Sequence, residues 1–222
     1  MMKIRTFDEL LEGIESEISW RRREIHNIKL ALDSSRPFLI PHLGRAGVVI
    51  AYSHWEGFIK ESCALYLEYV SRKRLRIDEL STNFVALACM KALKEASLTK
   101  SPTPYHQLVD FFRENGHDVS RIPYKEVIDT ESNLSSAVLF KLAEALGIRL
   151  EDNFDLKRKF IDRSLLKTRH AIAHGEFLEV KQEFAHEIFE QVESLLEAFK
   201  TAVENAAAQC LYLRIPSSTQ WS

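Results

Sequence analysis

The stretch that decides the fold is RAGVVIAYSHWEGFIKESCALYLEYVSRKR, residues 45–74. Apolar and aromatic residues recur along it at steps of three and four, which is the spacing of one face of an α-helix. That face contains Val48, Tyr52, Trp55, Ile59, Cys63, Tyr66 and Val70. The pattern predicts a long amphipathic helix, with about six turns along this face, that packs against other helices.

The segments on either side predict more helices. Residues 7–32 carry isoleucines at helical spacing and end before SSRPF, whose proline disfavours helix in the residue before it. Residues 132–148 and 152–175 begin at Ser, Asn or Asp caps and end at glycines, and residues 180–211 carry a final apolar stripe. Glycine and proline are scarce, with 7 and 6 residues in 222. We therefore expect an all-α fold, a bundle of four long helices with short helices inserted in the middle third.

The domain organisation follows from the same reading. The chain predicts a single helical domain over residues 1–222, with a main bundle at about 1–74 and 133–211. Residues 75–132 are less regular, with short helices and a loop that contains two prolines, and are expected to form an insertion packed on the bundle. Residues 212–222 are expected to form a loose tail.

Composition limits the classes of function. The net charge is −2, so any binding to nucleic acid must come from a local basic patch. The three cysteines are far apart and have neither zinc-site nor disulfide spacing, which is typical of a reducing compartment such as the cytoplasm. The N-terminus does not resemble a signal sequence, and no apolar run approaches the ~20 residues of a membrane span.

A second stretch, LLKTRHAIAHGEF at residues 165–177, carries the candidate chemistry. Arg169 lies between Leu165 and Ile172 on an apolar stripe, and a guanidinium there needs a carboxylate or phosphate partner. His174 comes just before Gly175, where the helix is expected to end. Five residues rotate a helix by ~140° beyond a full turn, but a terminal residue can swing back. Both side chains could then meet one phosphodiester.

This pair suits cleavage of RNA without a metal or another cofactor. A histidine can take the proton from a ribose 2′-hydroxyl, because imidazole changes charge near neutral pH. An arginine can hold the phosphate and stabilise the charge that develops in the transition state. The product would be a 2′,3′-cyclic phosphate. One histidine cannot easily act as both base and acid, so a homodimer would bring the second copy.

Other residues have two readings each. Glu56, at the edge of the helical stripe, either orients the arginine or a histidine of the site or makes an ordinary ion pair. His170 and His174 have a spacing that can hold zinc, with Glu176 or His186 as recruits, but the glutamate of HExxH is missing and no metal is expected. A basic cluster either faces solvent or holds RNA phosphates; it consists of Arg72, Lys73, Arg74 and Arg76.

RHAIAHG, residues 169–175, resembles the R-x4-H signature of the HEPN superfamily, the higher eukaryotes and prokaryotes nucleotide-binding domain. AYSHWEGFIKESCALYLEYV, residues 51–70, is similar to its MAE-type branch. The resemblance covers about 1–74 and 133–211 and implies an all-α bundle. It also implies kinship with metal-independent ribonucleases of toxin–antitoxin, phage-defence and CRISPR systems.

The resemblance further implies roles and partners. Arg169 and His174 would be catalytic, and His170 would occupy the polar position after the arginine. Two copies would pair so that both motifs line one cleft that takes RNA, and an antitoxin or a defence-system protein would be a further partner. The alternatives are a non-catalytic HEPN-like module that binds nucleotide, RNA or protein, and a structural protein in which Arg169 is a salt-bridged core residue. The intact Arg/His pair favours the enzyme.

Overall fold

The computed structural model describes residues 3–98, 101–103, 105–106, 109–110, 116–120, 122–123 and 133–215. Its α-helices are α1 (Phe7–Asp33), α2 (Ile40–Arg72), α3 (Thr82–Ser97), α4 (Ser136–Ala145), α5 (Asn153–Lys159), α6 (Lys167–Ala173) and α7 (Gln182–Ala208). A 3₁₀ helix (Ile77–Glu79) precedes α3, and a π-helical stretch (Phe160–Leu166) joins α5 to α6. Strand pairing in these ranges is limited to two isolated β-bridges. The expected all-α class is confirmed.

Helix α2 is the centre of the bundle, because it packs against α1, α6 and α7. It forms an antiparallel hairpin with α1, in which Gly13 meets Leu65 and Gly47 meets Ile28. The predicted stripe of α2 is buried over its whole length, and its neighbours Ala51 and Phe58 are also fully buried. Burial on more than one face is typical of a helix surrounded by others.

The start of α2 lies earlier than the apolar stripe indicated. It begins at Ile40, with a proline in its first turn, where the missing N–H of proline removes no helical hydrogen bond. This added turn carries Gly44 towards the segment after α6. A methyl group on Gly44 would lie 3.0 Å from a methyl carbon of Val180, so a larger residue here would press on Val180.

The helix predicted at residues 152–175 is continuous in the structure but not uniformly α-helical. Its middle, Phe160–Leu166, is π-helical, with a wider turn than the α-helix that the apolar spacing suggested. Ile161 and Leu165 are nevertheless fully buried, as the stripe predicted. The π-helical stretch directly precedes the helix that carries the R-x4-H motif.

The predicted loose tail is wrong at its start. Tyr212 is only 3% exposed and packs edge-on against Tyr69 and Phe84. Its carbonyl accepts a hydrogen bond from the Ser81 N–H at 2.8 Å, and the Arg214 N–H donates to the Glu79 carbonyl at 2.8 Å. Burial of a tyrosine ring is favourable, and this stabilises the start of the segment that the prediction left loose. Residues 216–222 lie outside the described residues.

Most of the predicted short helix at residues 105–115 also lies outside the described residues. The beginning of the predicted insertion does pack on the bundle, since Phe84 of α3 is fully buried and meets Tyr66 of α2. Within the described part of the chain, no helix combines the length and apolar character needed to cross a membrane.

Candidate functional site

The motif helix α6 ends in a Schellman motif. The Gly175 N–H donates to the Ile172 carbonyl at 3.1 Å, and the Glu176 N–H donates to the Ala171 carbonyl at 2.9 Å. Gly175 has φ +77°, in the left-handed region that glycine adopts without strain. His174 is therefore the C-cap residue, one position beyond the last helical residue, Ala173, at φ −87° and ψ 6°. Gly175 ends the helix and thereby places His174 at its C-terminal end.

The two imidazoles of the motif lie side by side at the surface. His170 and His174 are both exposed, and their ring centroids are 4.2 Å apart with the planes tilted by 51°. This is the neighbour relation of residues i and i+4 on a regular helix. One chain thus offers two imidazoles in the same place, so a proton donor and a proton acceptor could both come from it.

Arg169 is half-buried at the edge of the core. Its Nη1 donates a hydrogen bond of 2.9 Å to Oδ1 of Asn133, and its guanidinium carbon lies 4.8 Å from the ring centre of Tyr52. The expected partner was a carboxylate or phosphate, whereas these two contacts are an amide oxygen and an aromatic face. Both of these groups are neutral, and together they fix the position of the guanidinium.

Tyr52 connects three parts of the site. Its hydroxyl oxygen accepts a hydrogen bond from the buried N–H of Leu134 at 2.7 Å. The pKa of Tyr52 is raised to about 12, mainly by burial and secondly by the negative charge of the nearby Glu56 carboxylate. The phenol therefore stays protonated at neutral pH, and its O–H can donate to Glu56 while its ring lies against Arg169.

Contacts at the start of α4 position Asn133 close to Arg169. The Asp162 carboxylate, in the π-helical stretch, accepts bonds from the N–H (2.8 Å) and the hydroxyl (2.6 Å) of Ser136. The Ser135 hydroxyl caps α4 by accepting the Val138 N–H at 3.2 Å. These contacts fix the chain just after Asn133, so its amide is positioned against α6 before any ligand arrives.

Glu56 reaches the arginine by way of Tyr52. Its carboxylate lies 2.9 Å from Nζ of Lys60, and its side chain is 14% exposed. Glu56 makes the ordinary i,i+4 ion pair of one interpretation. It also contacts the phenol of Tyr52, whose ring lies against the guanidinium, which is part of the other interpretation. A direct role at the reacting atoms stays a prediction.

Helix geometry separates the directions of Arg169, on α6, and His174, its C-cap. His174 is the C-cap residue, but its ring centroid lies 4.2 Å from that of His170, so its side chain continues the i,i+4 spacing of the helix and does not swing back. On a regular helix the two side chains are then ~140° apart. The sequence expectation that both could meet one phosphate within a single chain gains no support from this geometry.

The basic cluster lies far from the motif. Arg72 is 20 positions after Tyr52 on the same helix, which corresponds to ~30 Å. Arg72 pairs with Glu68, Arg76 pairs with Asp78, and Lys73 lies over the Tyr69 ring. Arg74 follows α2 with φ 52°. RNA binding by Arg72, Lys73, Arg74 and Arg76 stays a prediction, but these residues do not adjoin the candidate site.

The zinc alternative has no third ligand in view. His186 lies 2.8 Å from the Asp33 carboxylate, so this recruit is already paired. Across the described ranges, no group of three or more His, Cys, Asp or Glu side chains is placed to hold a metal ion. His170 and His174 remain a pair of imidazoles.

Two residues of the site were not identified from the sequence as site residues. Tyr52 was assigned to the core stripe, and its burial agrees with that, but spacing cannot reveal that its ring carries Arg169. Asn133 was read as part of a capping region, and it is 36 residues away from the arginine in sequence. Only the tertiary structure brings Asn133, which precedes α4, next to Arg169 of α6.

Comparison with known proteins gives one family. A sequence model of the RiboL-PSP-HEPN family matches residues 16–205, which include α2, the site and most of α7. No match was found among curated proteins or among solved structures. The match supports the HEPN superfamily expected from the motif, under a family name other than the MAE-type branch.

Proposed function

Because the chain belongs to the RiboL-PSP-HEPN family, we propose that it is a metal-independent endoribonuclease whose site is shared by two copies of the chain. The 2′-hydroxyl of the substrate attacks the adjacent phosphorus, His174 of one copy takes the hydroxyl proton, and His174 of the other copy protonates the leaving 5′-oxygen. Arg169 holds the phosphate and stabilises the charge on its oxygens. The products are a 2′,3′-cyclic phosphate and a 5′-hydroxyl.

The observation that carries this proposal is the setting of Arg169. A permanently charged guanidinium lies 2.9 Å from an amide oxygen and 4.8 Å from the centre of an aromatic ring, and the same motif supplies an exposed pair of imidazoles. These contacts hold the guanidinium at a defined place, and its fork of N–H donors matches an anionic ligand such as a phosphodiester.

The homodimer is part of the proposal because of the angle between the two catalytic side chains. A ~140° divergence along α6 makes convergence within one chain difficult. Two motif helices that face each other across a two-fold axis would bring the arginine of one copy towards the histidine of the other. This arrangement is also the one that the resemblance to HEPN ribonucleases implies.

The same divergence favours a second candidate function, a HEPN-like module that binds RNA or nucleotide without cleaving it. If the chains do not pair, Arg169 can bind a phosphate while no histidine reaches it.

The resemblance to toxin and phage-defence ribonucleases makes a cytoplasmic toxin or defence effector our biological expectation, with an antitoxin or defence-system protein as a further partner.

Digestion of RNA in excess EDTA tests the proposal. We expect the purified protein to cleave RNA at the same rate with and without the chelator, because imidazole and guanidinium need no cation. Mass spectrometry of the fragments should find 2′,3′-cyclic phosphate ends. Loss of cleavage in EDTA that zinc or magnesium restores would favour a metal site, and binding without cleavage would favour the module.

A further inference from the structure

Arg169 is held by two segments that are far apart in the sequence. Its guanidinium carbon lies 4.8 Å from the ring centre of Tyr52, on α2, and its Nη1 donates to Oδ1 of Asn133, just before α4. A long arginine side chain loses rotamer freedom when it is held in one conformation, so contacts must compensate for that loss. Because both contacts come from outside α6, they set the direction of the guanidinium.

One side chain joins these two segments. The hydroxyl oxygen of Tyr52 accepts the N–H of Leu134 at 2.7 Å, and Leu134 is the residue directly after Asn133. Tyr52 therefore touches the guanidinium with its ring, and its hydroxyl holds the backbone next to the other partner of the guanidinium. Arg169, Asn133, Leu134 and Tyr52 thus form a closed loop of contacts.

The loop of contacts is buried at Tyr52, which makes its hydrogen bond hard to replace. Leu134 has no exposed surface and Tyr52 is 1% exposed, so water cannot take the place of the phenol oxygen as acceptor for the Leu134 N–H. The phenol is also held on its donor side, because its O–H can donate to the Glu56 carboxylate, which lies 2.9 Å from Nζ of Lys60.

We propose that Tyr52 is the positioning residue of the candidate site, which fixes the Arg169 guanidinium directly through its ring and indirectly through Leu134 and Asn133. The proposal rests on the proposed ribonuclease function and adds the residue that sets the geometry of the arginine fork. Transition-state stabilisation needs donors that are already in place, and a misplacement of about 1 Å can cost ~100-fold in rate. Tyr52 acts through the arginine and takes no proton from the substrate.

Tyr52→Phe tests the proposal, because it keeps the ring against the guanidinium and removes only the hydroxyl that holds Leu134. We expect kcat for RNA cleavage to fall about 10-fold, since a displaced guanidinium stabilises the transition state less well. KM should change by less than about 2-fold, because the charge that attracts the phosphate remains. Tyr66→Phe is the matched control. Tyr66 is also buried on α2, but its hydroxyl has no hydrogen-bond partner among the described residues, so its loss should leave kcat unchanged.

The double variant Tyr52→Phe/Asn133→Ala separates positioning from a general loss of stability. Both substitutions break the same loop of contacts, so the double variant should cleave about as fast as the slower single variant. Independent effects would instead multiply, to about 100-fold. Melting curves are recorded for every variant, and cleavage is measured well below the lowest melting temperature. A loss equal to the product of the two single losses overturns the proposal.

NMR spectra of the isotope-labelled protein test the position of the guanidinium without any substrate. A guanidinium that is held in place rotates slowly about its Cζ–N bonds and gives separate signals for its Nη protons. The signals of Arg169 are identified by their loss in Arg169→Lys. We expect separate signals in the parent and in Tyr66→Phe, and averaged signals in Tyr52→Phe.

The remaining outcomes distinguish this proposal from the ribonuclease proposal. If Tyr52→Phe keeps the parental kcat, or raises KM alone, the hydroxyl does not position the arginine, and the ribonuclease proposal is untouched. If the parent cleaves no RNA, the ribonuclease proposal falls, and averaged Arg169 signals in Tyr52→Phe would leave the positioning role standing. Arg169 signals that are the same in the parent and in Tyr52→Phe would overturn it.

Discussion

Replacement of His174 by alanine is expected to reduce RNA cleavage by ~100-fold or more, the loss typical of removing a general acid or base. The fold should hardly change, because His174 is exposed and its backbone is fixed by the Schellman hydrogen bonds of Gly175 and Glu176, which its side chain does not make. We expect the free energy of unfolding to change by less than ~1 kcal/mol.

Cleavage rates and melting curves of parent and variant measure the two effects. His26→Ala is the matched control, because His26 is also an exposed histidine, on α1, and its loss should leave cleavage unchanged. His174 would be a structural residue if His174→Ala unfolded the protein. It would have no catalytic role if the folded variant cleaved RNA as fast as the parent.

Replacement of Arg169 by alanine is expected to abolish measurable cleavage, because removing a charged donor from a phosphate site costs ~100-fold to 1,000-fold in rate. Arg169→Lys should be severely impaired too. Lysine keeps the charge but lacks the planar fork of arginine. That fork donates to Asn133, lies on the Tyr52 ring and still has N–H groups left to donate to a phosphate. Arg169→Ala should also destabilise the fold by ~1 kcal/mol, since it leaves the Asn133 amide without this hydrogen bond.

The variant Asn133→Ala tests whether the position of the Arg169 guanidinium matters in addition to its charge. It removes the acceptor at 2.9 Å and leaves the guanidinium, so we expect a smaller loss of cleavage, about 10-fold, than Arg169→Ala causes. Single-turnover cleavage and melting temperature are measured for all three variants. Equal cleavage by Arg169→Lys and the parent would show that a point charge suffices, and would remove the arginine fork from the mechanism.

The sequence predicted the fold wherever helical spacing alone decides it. The stripe of α2, the isoleucines of α1 and the glycine stop at Gly175 all follow local rules, and each agrees with the structure. The π-helical stretch Phe160–Leu166 could not be predicted, because its buried Ile161 and Leu165 are four residues apart, which also fits an α-helix. Burial of Tyr212 depends on partners in α2 and α3 that are distant in sequence.

The contacts within the candidate site could be predicted only in part from the sequence, and the catalytic role of its residues stays a prediction. The motif identified Arg169, His170 and His174, yet the contacts of the arginine come from α2 and from the residue before Leu134, which no spacing in the sequence connects. The direction of His174 also needed the structure, because a terminal residue of a helix can follow the helix or leave it. Here it follows, and the imidazole lies beside its i−4 neighbour.

The most direct test of a ribonuclease site shared by two copies is the activity of a mixed dimer. A parental chain and a His174→Ala chain with different affinity tags are co-expressed, and the mixed dimer is purified on both tags in succession. If both histidines serve one cleft, the mixed dimer should cleave RNA almost as poorly as the His174→Ala homodimer. Half of the parental activity would mean that each chain has its own complete site, with His170 and His174 as its two imidazoles. That result, or failure to recover any mixed dimer from an active parent, would contradict the shared site.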